Sequence, residues 1–231
     1  MDYNQGGFYR FSNYVYCLLI LNFIFVFTNL LSFAALILLI PTISNAILYY
    51  IALIPTGPAI AALLHSLSIL ARQQEMTPVS TFLSAYKSNF KDVLKVWFPI
   101  LTVFFVLVID IQYFNQNPTV FNQILNGIFL VVLFLLVIFS IYTLIITTHY
   151  KFRIRDIYRL SLYYIFTWIK RTTGNIAILF LTVVVMFFTS DFIIIFLSSL
   201  VAWFIILNTK PIIQDVKISF VKNEHYEQQD T

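Results

Sequence analysis

The stretch Ile51-Ala-Leu-Ile-Pro-Thr-Gly-Pro-Ala-Ile-Ala-Ala-Leu63 sets two prolines around a threonine and a glycine inside a long apolar run. In a soluble chain such a cluster reads as a turn between two helices. Its surroundings change that reading. No Asp, Glu, Lys or Arg occurs anywhere from residue 11 to residue 71, a run longer than two membrane crossings of about 20 residues each.

Working outward, the chain has 231 residues, 60% of them hydrophobic and 10% charged, with 25 Phe and a mean hydropathy of +0.88. A water-facing surface requires far more charge than this, so the sequence predicts an all-α integral membrane protein. Five further apolar blocks follow the first. The expected segments are 14–40, 44–70, 96–114, 123–148, 175–190 and 192–208, about six in all, or five if the second does not cross fully. They form one membrane domain with a short polar C-terminal tail over 209–231.

Sorting the 14 Lys and Arg residues by the two sides that six segments create places all of them on one side. The positive-inside rule makes that side cytoplasmic. The expectation is a multi-pass protein of the cell membrane with both termini inside and an uncleaved first span. The outer links, at 41–45, 115–122 and around residues 190 and 191, are too short to form a receptor domain.

This count bears on the prolines. An outer turn at 55–58 would leave 58–71 to cross alone, about 21 Å of helix at 1.5 Å per residue, against a core of about 30 Å. The better expectation is a second segment broken at Pro55, Thr56, Gly57 and Pro58 at membrane depth, with a new helix starting near Pro58. Its unpaired N–H groups would point into the bundle. Such breaks build ligand sites in some transporters and simply kink the span in others.

Two stretches on the basic side read as amphipathic interfacial helices, over 78–95 and 153–171. In the first, Thr77 and Pro78 make an N-cap and first-turn pair. Val79, Phe82, Leu83, Tyr86, Phe90, Val93, Leu94 and Trp97 follow helical spacing. Lys87, Lys91 and Lys95 form a stripe at i, i+4 on another face. That stripe serves either topology and contact with anionic headgroups or docking of a cytoplasmic partner through Tyr86, Lys87, Phe90, Lys91 and Lys95. Leu160, Ser161 and Tyr163 echo Leu83, Ser84 and Tyr86, which suggests a parallel duplication of span, interfacial helix and span.

Candidate chemistry is sparse. His65, His149 and His225 are scattered along the chain, Cys17 is the single cysteine, and the 5 glycines form no phosphate loop. The expectation is no enzyme, no cofactor and no metal. His65 and Asp110 are intramembrane ionisable residues and hence candidates for a ligand path or for packing. Asn22 and Asn29, seven apart on the first span, either line such a path or hold spans together by hydrogen bonds. Every basic residue is accounted for by topology and membrane contact, so nucleic-acid binding is not expected.

Leu21-Asn22 in an aromatic first span, then Pro55-Thr-Gly-Pro-Ala-x-Ala-Ala-Leu63, then Phe82-x-x-Ala85-Tyr86-Lys87-x-Asn89-Phe90-Lys91, resemble the YesL-like family of bacterial membrane proteins. The resemblance covers mainly residues 10–97. It implies an undetermined function in a family often found beside carbohydrate ABC transporters, and hence an accessory role in sugar uptake with transporter or sensor subunits as partners. It supplies no ligand site and leaves the oligomeric state unknown. The alternative is a small-solute transporter or channel that uses the broken segment and the polar intramembrane residues.

Overall fold

The computed structural model describes residues 7–72, 76–116, 118–189 and 193–221, with backbone alone for 193–196 and 221. The expected turn at 190 and 191, the first residues of the N-terminal tail, His225 and the end of the C-terminal tail lie outside the described residues. Nine α-helices follow in order: α1 Gly7–Thr28, α2 Leu30–Leu38, α3 Ala46–Leu53, α4 Thr56–Ala71, α5 Pro78–Gln116, α6 Val120–His149, α7 Ile154–Thr167, α8 Ile169–Phe188 and α9 Ile193–Val216. A 3-10 turn, Ile43–Asn45, precedes α3, a π-helical turn, Lys217–Val221, ends the described chain, and no strand occurs among the described residues.

Five helices are long and apolar enough to cross a membrane, and the bent pair formed by Ile43–Leu53 and Thr56–Ala71 brings the number to six. The chain is a multi-pass membrane protein. Its outward-facing Phe23, Leu36, Phe121, Val131, Phe180 and Val183 are exposed, as suits helices whose solvent is hydrocarbon.

The fold is organised around α4. Of its 16 residues 12 are buried, so it is enclosed by protein where the outer helices face hydrocarbon. It packs against α1, α5, α6 and α9. The small residues Gly57, Ala59, Ala61, Ala62, Ser66 and Ser68 let those neighbours come close. Leu21 and Phe25 of α1, Phe82 and Val93 of α5, Leu144 and Ile145 of α6, and Ile205 and Ile206 of α9 close the core around it. A second apolar cluster ties α7 to α6 and α9 through Ile138, Tyr142, Ile157, Tyr164, Ile212 and Val216.

The first interfacial helix differs from its expected form. A helix starts at Pro78 as the Thr77-Pro78 pair predicts, but it runs on through Pro99 to Gln116 as one element of 39 residues. At 1.5 Å per residue that is about 58 Å, so α5 both spans an apolar core of about 30 Å and extends well beyond it. Continuity follows from burial: Phe82, Ala85, Val93, Val96, Ile100 and Leu101 are buried along the helix, with Phe82, Ala85 and Val93 in the core around α4 and Val96 in the cluster with α6 and α7. Pro99 removes one ladder bond, and one turn earlier the Tyr158 hydroxyl of α7 donates to the Val96 carbonyl at 2.8 Å.

The second stretch does break, at Trp168 between α7 and α8. The proposed duplication therefore lacks structural support. Leu160 and Ser161 are buried whereas Leu83 and Ser84 are exposed, and Tyr163 is exposed whereas Tyr86 is half-buried, so the matched letters hold different positions.

The first span also departs from the expected 14–40. It begins at Gly7 and is interrupted at Asn29, which separates α1 from α2. The C-terminal tail expected from residue 209 is instead helical through Val216, because Thr209, Ile212, Ile213 and Val216 share a buried face.

Candidate functional site

At the break between α3 and α4 the two arms bend by 42°. Pro55 and Pro58 have no N–H, so the carbonyls of Ile51 and Ile54 lose their usual helical donors. Local bonds repair part of the ladder: the Ile54 N–H turns to the Ile51 carbonyl, and the Ala59 N–H reaches the Pro55 carbonyl. Side chains repair more. Ser32 of α2 donates to the Ala52 carbonyl at 2.6 Å and lies 2.8 Å from the Thr56 hydroxyl. The Trp97 indole N–H of α5 donates to the Leu53 carbonyl at 3.1 Å.

Gly57 gives the tryptophan its place. A Cβ there would stand only 2.3 to 2.6 Å from atoms of the indole ring, so only glycine admits Trp97 against the break. The break expected at 55–58 is thus present, and its exposed backbone is covered by Ser32, Thr56 and Trp97. The adjoining cavity, about 330 Å³, is lined by apolar side chains such as Ile60, Leu63, Leu101, Phe104 and Ala202, with Ser140 and Ser198 the hydroxyl residues. Ser140 donates to its own helix at the Val137 carbonyl.

The other polar residues of the spans mostly close on neighbours. Asn22 accepts from the Ser199 N–H of α9 at 3.1 Å. Asn29 donates to the Phe25 carbonyl at 2.8 Å, while its buried Oδ1 has no partner among the described residues. Thr143 donates to Ser161 of α7 at 3.1 Å. Around Trp168, Tyr142, Thr172, Asn175 and Asn208 form a buried network that ends on the Arg171 and Ile165 carbonyls. Asp110 is half-buried near the far end of α5, remote from the break and from the histidines. The residues nominated for a ligand path therefore occupy separate places.

One pairing escaped sequence reasoning. His65 and His149, which share no motif spacing, meet toward the C-terminal ends of α4 and α6 with ring centroids 5.5 Å apart. His149 Nδ1–H donates to the Ile145 carbonyl at 2.8 Å. In the neutral ring Nε2 is then an acceptor, and it lies 2.8 Å from the Ser68 hydroxyl of α4, whose one proton is shared between it and the His65 carbonyl, also 2.8 Å away. His65 Nδ1 is buried and has no partner among the described residues. Arg72 and Lys210 border the small cavity beside Ser68, about 20 Å³, room for one water. Lys210 donates to the Ala71 carbonyl at the end of α4, where a cation is favoured by the helix dipole. No group of three His, Cys, Asp or Glu residues that could hold a metal occurs among the described residues.

The same end of the bundle carries the basic residues. Lys87, Lys91 and Lys95 are exposed on α5, while Tyr86 and Phe90 are half-buried. Tyr86 packs between Phe82 and Phe90, with ring centroids 6.3 and 5.5 Å away. Burial pushes the Tyr86 phenol above its ordinary value. Tyr150 stands beside the His149 ring at 6.2 Å and donates its hydroxyl to the Ile213 carbonyl. Its phenol is raised by burial, with the Arg72 charge pulling the other way.

Residues 18–111 match the model of a family described as a protein of unknown function, DUF624. The matched stretch contains the break, Trp97, the lysine stripe and His65, and stops short of His149. No curated protein and no solved structure matches the chain.

Proposed function

We propose that this is a non-enzymatic accessory component of the cell membrane that docks a partner subunit on its basic end, with that end in the cytoplasm. The supporting observation is the presentation of Lys87, Lys91 and Lys95. They stand exposed on a helix whose opposite face, at Phe82, Ala85 and Val93, is buried in the central core. A stripe held on a rigid element loses little freedom when a partner binds. Its charge suits an acidic surface on that partner.

The likeness to a family of unknown function over residues 18–111 agrees with the YesL-like resemblance. That resemblance alone suggests a carbohydrate uptake system as the source of the partner. The transporter alternative draws no support from the covered break or from the apolar cavity beside it. Gentle purification from native membranes after lysine-directed crosslinking tests the docking reading. A stoichiometric transporter or sensor subunit that is lost in K87E/K91E is the expected result; a clean homo-oligomer identical in both forms contradicts it.

A further inference from the structure

On the far side of Tyr150 from the histidine pair lies a cavity of about 360 Å³, where the inner end of α6 meets α5 and the start of α7. Asp92, Lys95, Thr147, Tyr150, Lys151 and Arg153 supply its polar lining. We propose that this cavity binds a phosphate-bearing anion, either the headgroup of an anionic phospholipid or a small soluble phosphate.

The donors facing the cavity are cationic. Thr147 gives its hydroxyl proton to the Thr143 carbonyl at 2.7 Å, and Tyr150 gives its own to Ile213, so neither hydroxyl has a proton left for a ligand. Lys95, Lys151 and Arg153 remain, from α5, the connecting strand of chain and the start of α7. A single carboxylate answers them: Asp92 lies 3.1 Å from Lys95 and 4.0 Å from Lys151. Arg153 has no carboxylate within ion-pair distance among the described residues. The lining thus carries two more positive than negative charges, which matches a phosphate.

Geometry and position agree with that charge. A planar guanidinium offers paired donors to phosphate oxygens, and lysines add point charge. The volume exceeds that of one inorganic phosphate and falls at the small end of ligand sites. Val96, Ile154 and Ile157 form the apolar wall, so the cationic groups sit where the bundle passes from apolar to polar surroundings. Basic pockets between helices at that level suit lipid headgroups. Lys95 and Lys151 are 61% and 83% exposed, which leaves them able to turn from Asp92 to a ligand. The assignment shares Lys95 with the docking reading but needs no protein partner, and its test rests on Lys151 and Arg153, which that reading does not use.

Two arms distinguish the sources, both with the full chain in nanodiscs. In phosphatidylcholine discs containing phosphatidylglycerol, spin-labelled phosphatidylglycerol is compared with spin-labelled phosphatidylcholine for the motionally restricted fraction. In discs of phosphatidylcholine alone, glycerol 3-phosphate is titrated by calorimetry. Preference in the first arm identifies a lipid headgroup, and binding only in the second a soluble phosphate. In whichever arm responds, K151Q/R153Q weakens binding roughly fivefold for each cation removed. R10Q/K217Q, at exposed cations away from the cavity, leaves it unchanged, and D92N, which removes the competing carboxylate, strengthens it. The assignment is overturned if wild type responds in neither arm, if K151Q/R153Q loses no more than R10Q/K217Q, or if D92N gains nothing.

Discussion

The break between α3 and α4 and the cavity beside Lys151 are both places where a helix gives way, and they treat exposed polarity in opposite ways. At the break the protein covers it: Ser32 and Trp97 take the Ala52 and Leu53 carbonyls, and Gly57 makes room for the indole. Beside Lys151 the hydroxyls are turned inward and the charges are left facing out. Hydrocarbon explains the contrast, because an unpaired backbone group there costs several kcal/mol, whereas water solvates a lysine without help.

If the break is a closed structural joint, damage to it should appear as lost stability. W97A should cost most, about 3–5 kcal/mol, through the lost ring and the unpaired Leu53 carbonyl. It is measured as the unfolding free energy in detergent. G57A should cost about 1–3 kcal/mol by overpacking, and the losses of G57A and W97L should be less than additive in the double variant, since the clash needs both side chains. A G57A protein as stable as wild type would show that the glycine does not hold the tryptophan in place. S32A should cost about 1–3 kcal/mol, the penalty of a buried acceptor without its donor. By contrast K87Q/K91Q, on the open end, should stay within about 0.5 kcal/mol of wild type.

Among the closed contacts of the basic end, the one between Tyr164 and Asp215 is reached by pH. Tyr164 donates to Asp215 at 2.7 Å, and burial, then the Asp215 hydrogen bond and charge, raise its phenol above the ordinary value of 10.0. The unfolded chain therefore loses that proton first. Stability is unaffected below pH 10 and falls as the pH rises beyond it. Comparing melting midpoints at pH 8 and about pH 11 should show a smaller drop in Y164F than in wild type.

Much of this fold was legible in the sequence because hydrocarbon makes simple demands. The charge-free run from residue 11 to 71 and the one-sided basic residues marked the membrane class, and Pro55 and Pro58 marked the break. What closes the break was not legible. Ser32 and Trp97 are far from it along the chain, and although helical spacing places Trp97 on the apolar face of its own helix, that spacing does not say what the face meets. The continuity of α5 was obscured because its two halves differ in polarity, although one buried face, from Phe82 to Leu101, runs through both. The His65–His149 pair shows the limit most plainly. Spacing rules see neighbours on one helix, and this pair is made by α4 crossing α6. The signal that could have found it was the common depth of the two residues, each near the basic end of its span.

The contrast between a covered break and an open basic end is tested most directly by thiol accessibility in native membranes. In a C17A background, S32C and K91C are each exposed to a small membrane-permeant thiol reagent, and the modified fraction is followed with time. Ser32 is 5% exposed and Lys91 lies on the open face. The account predicts rapid modification of K91C and none of S32C over the same interval. Modification of S32C at a rate comparable to K91C would contradict it, because a water-filled opening would then reach the break.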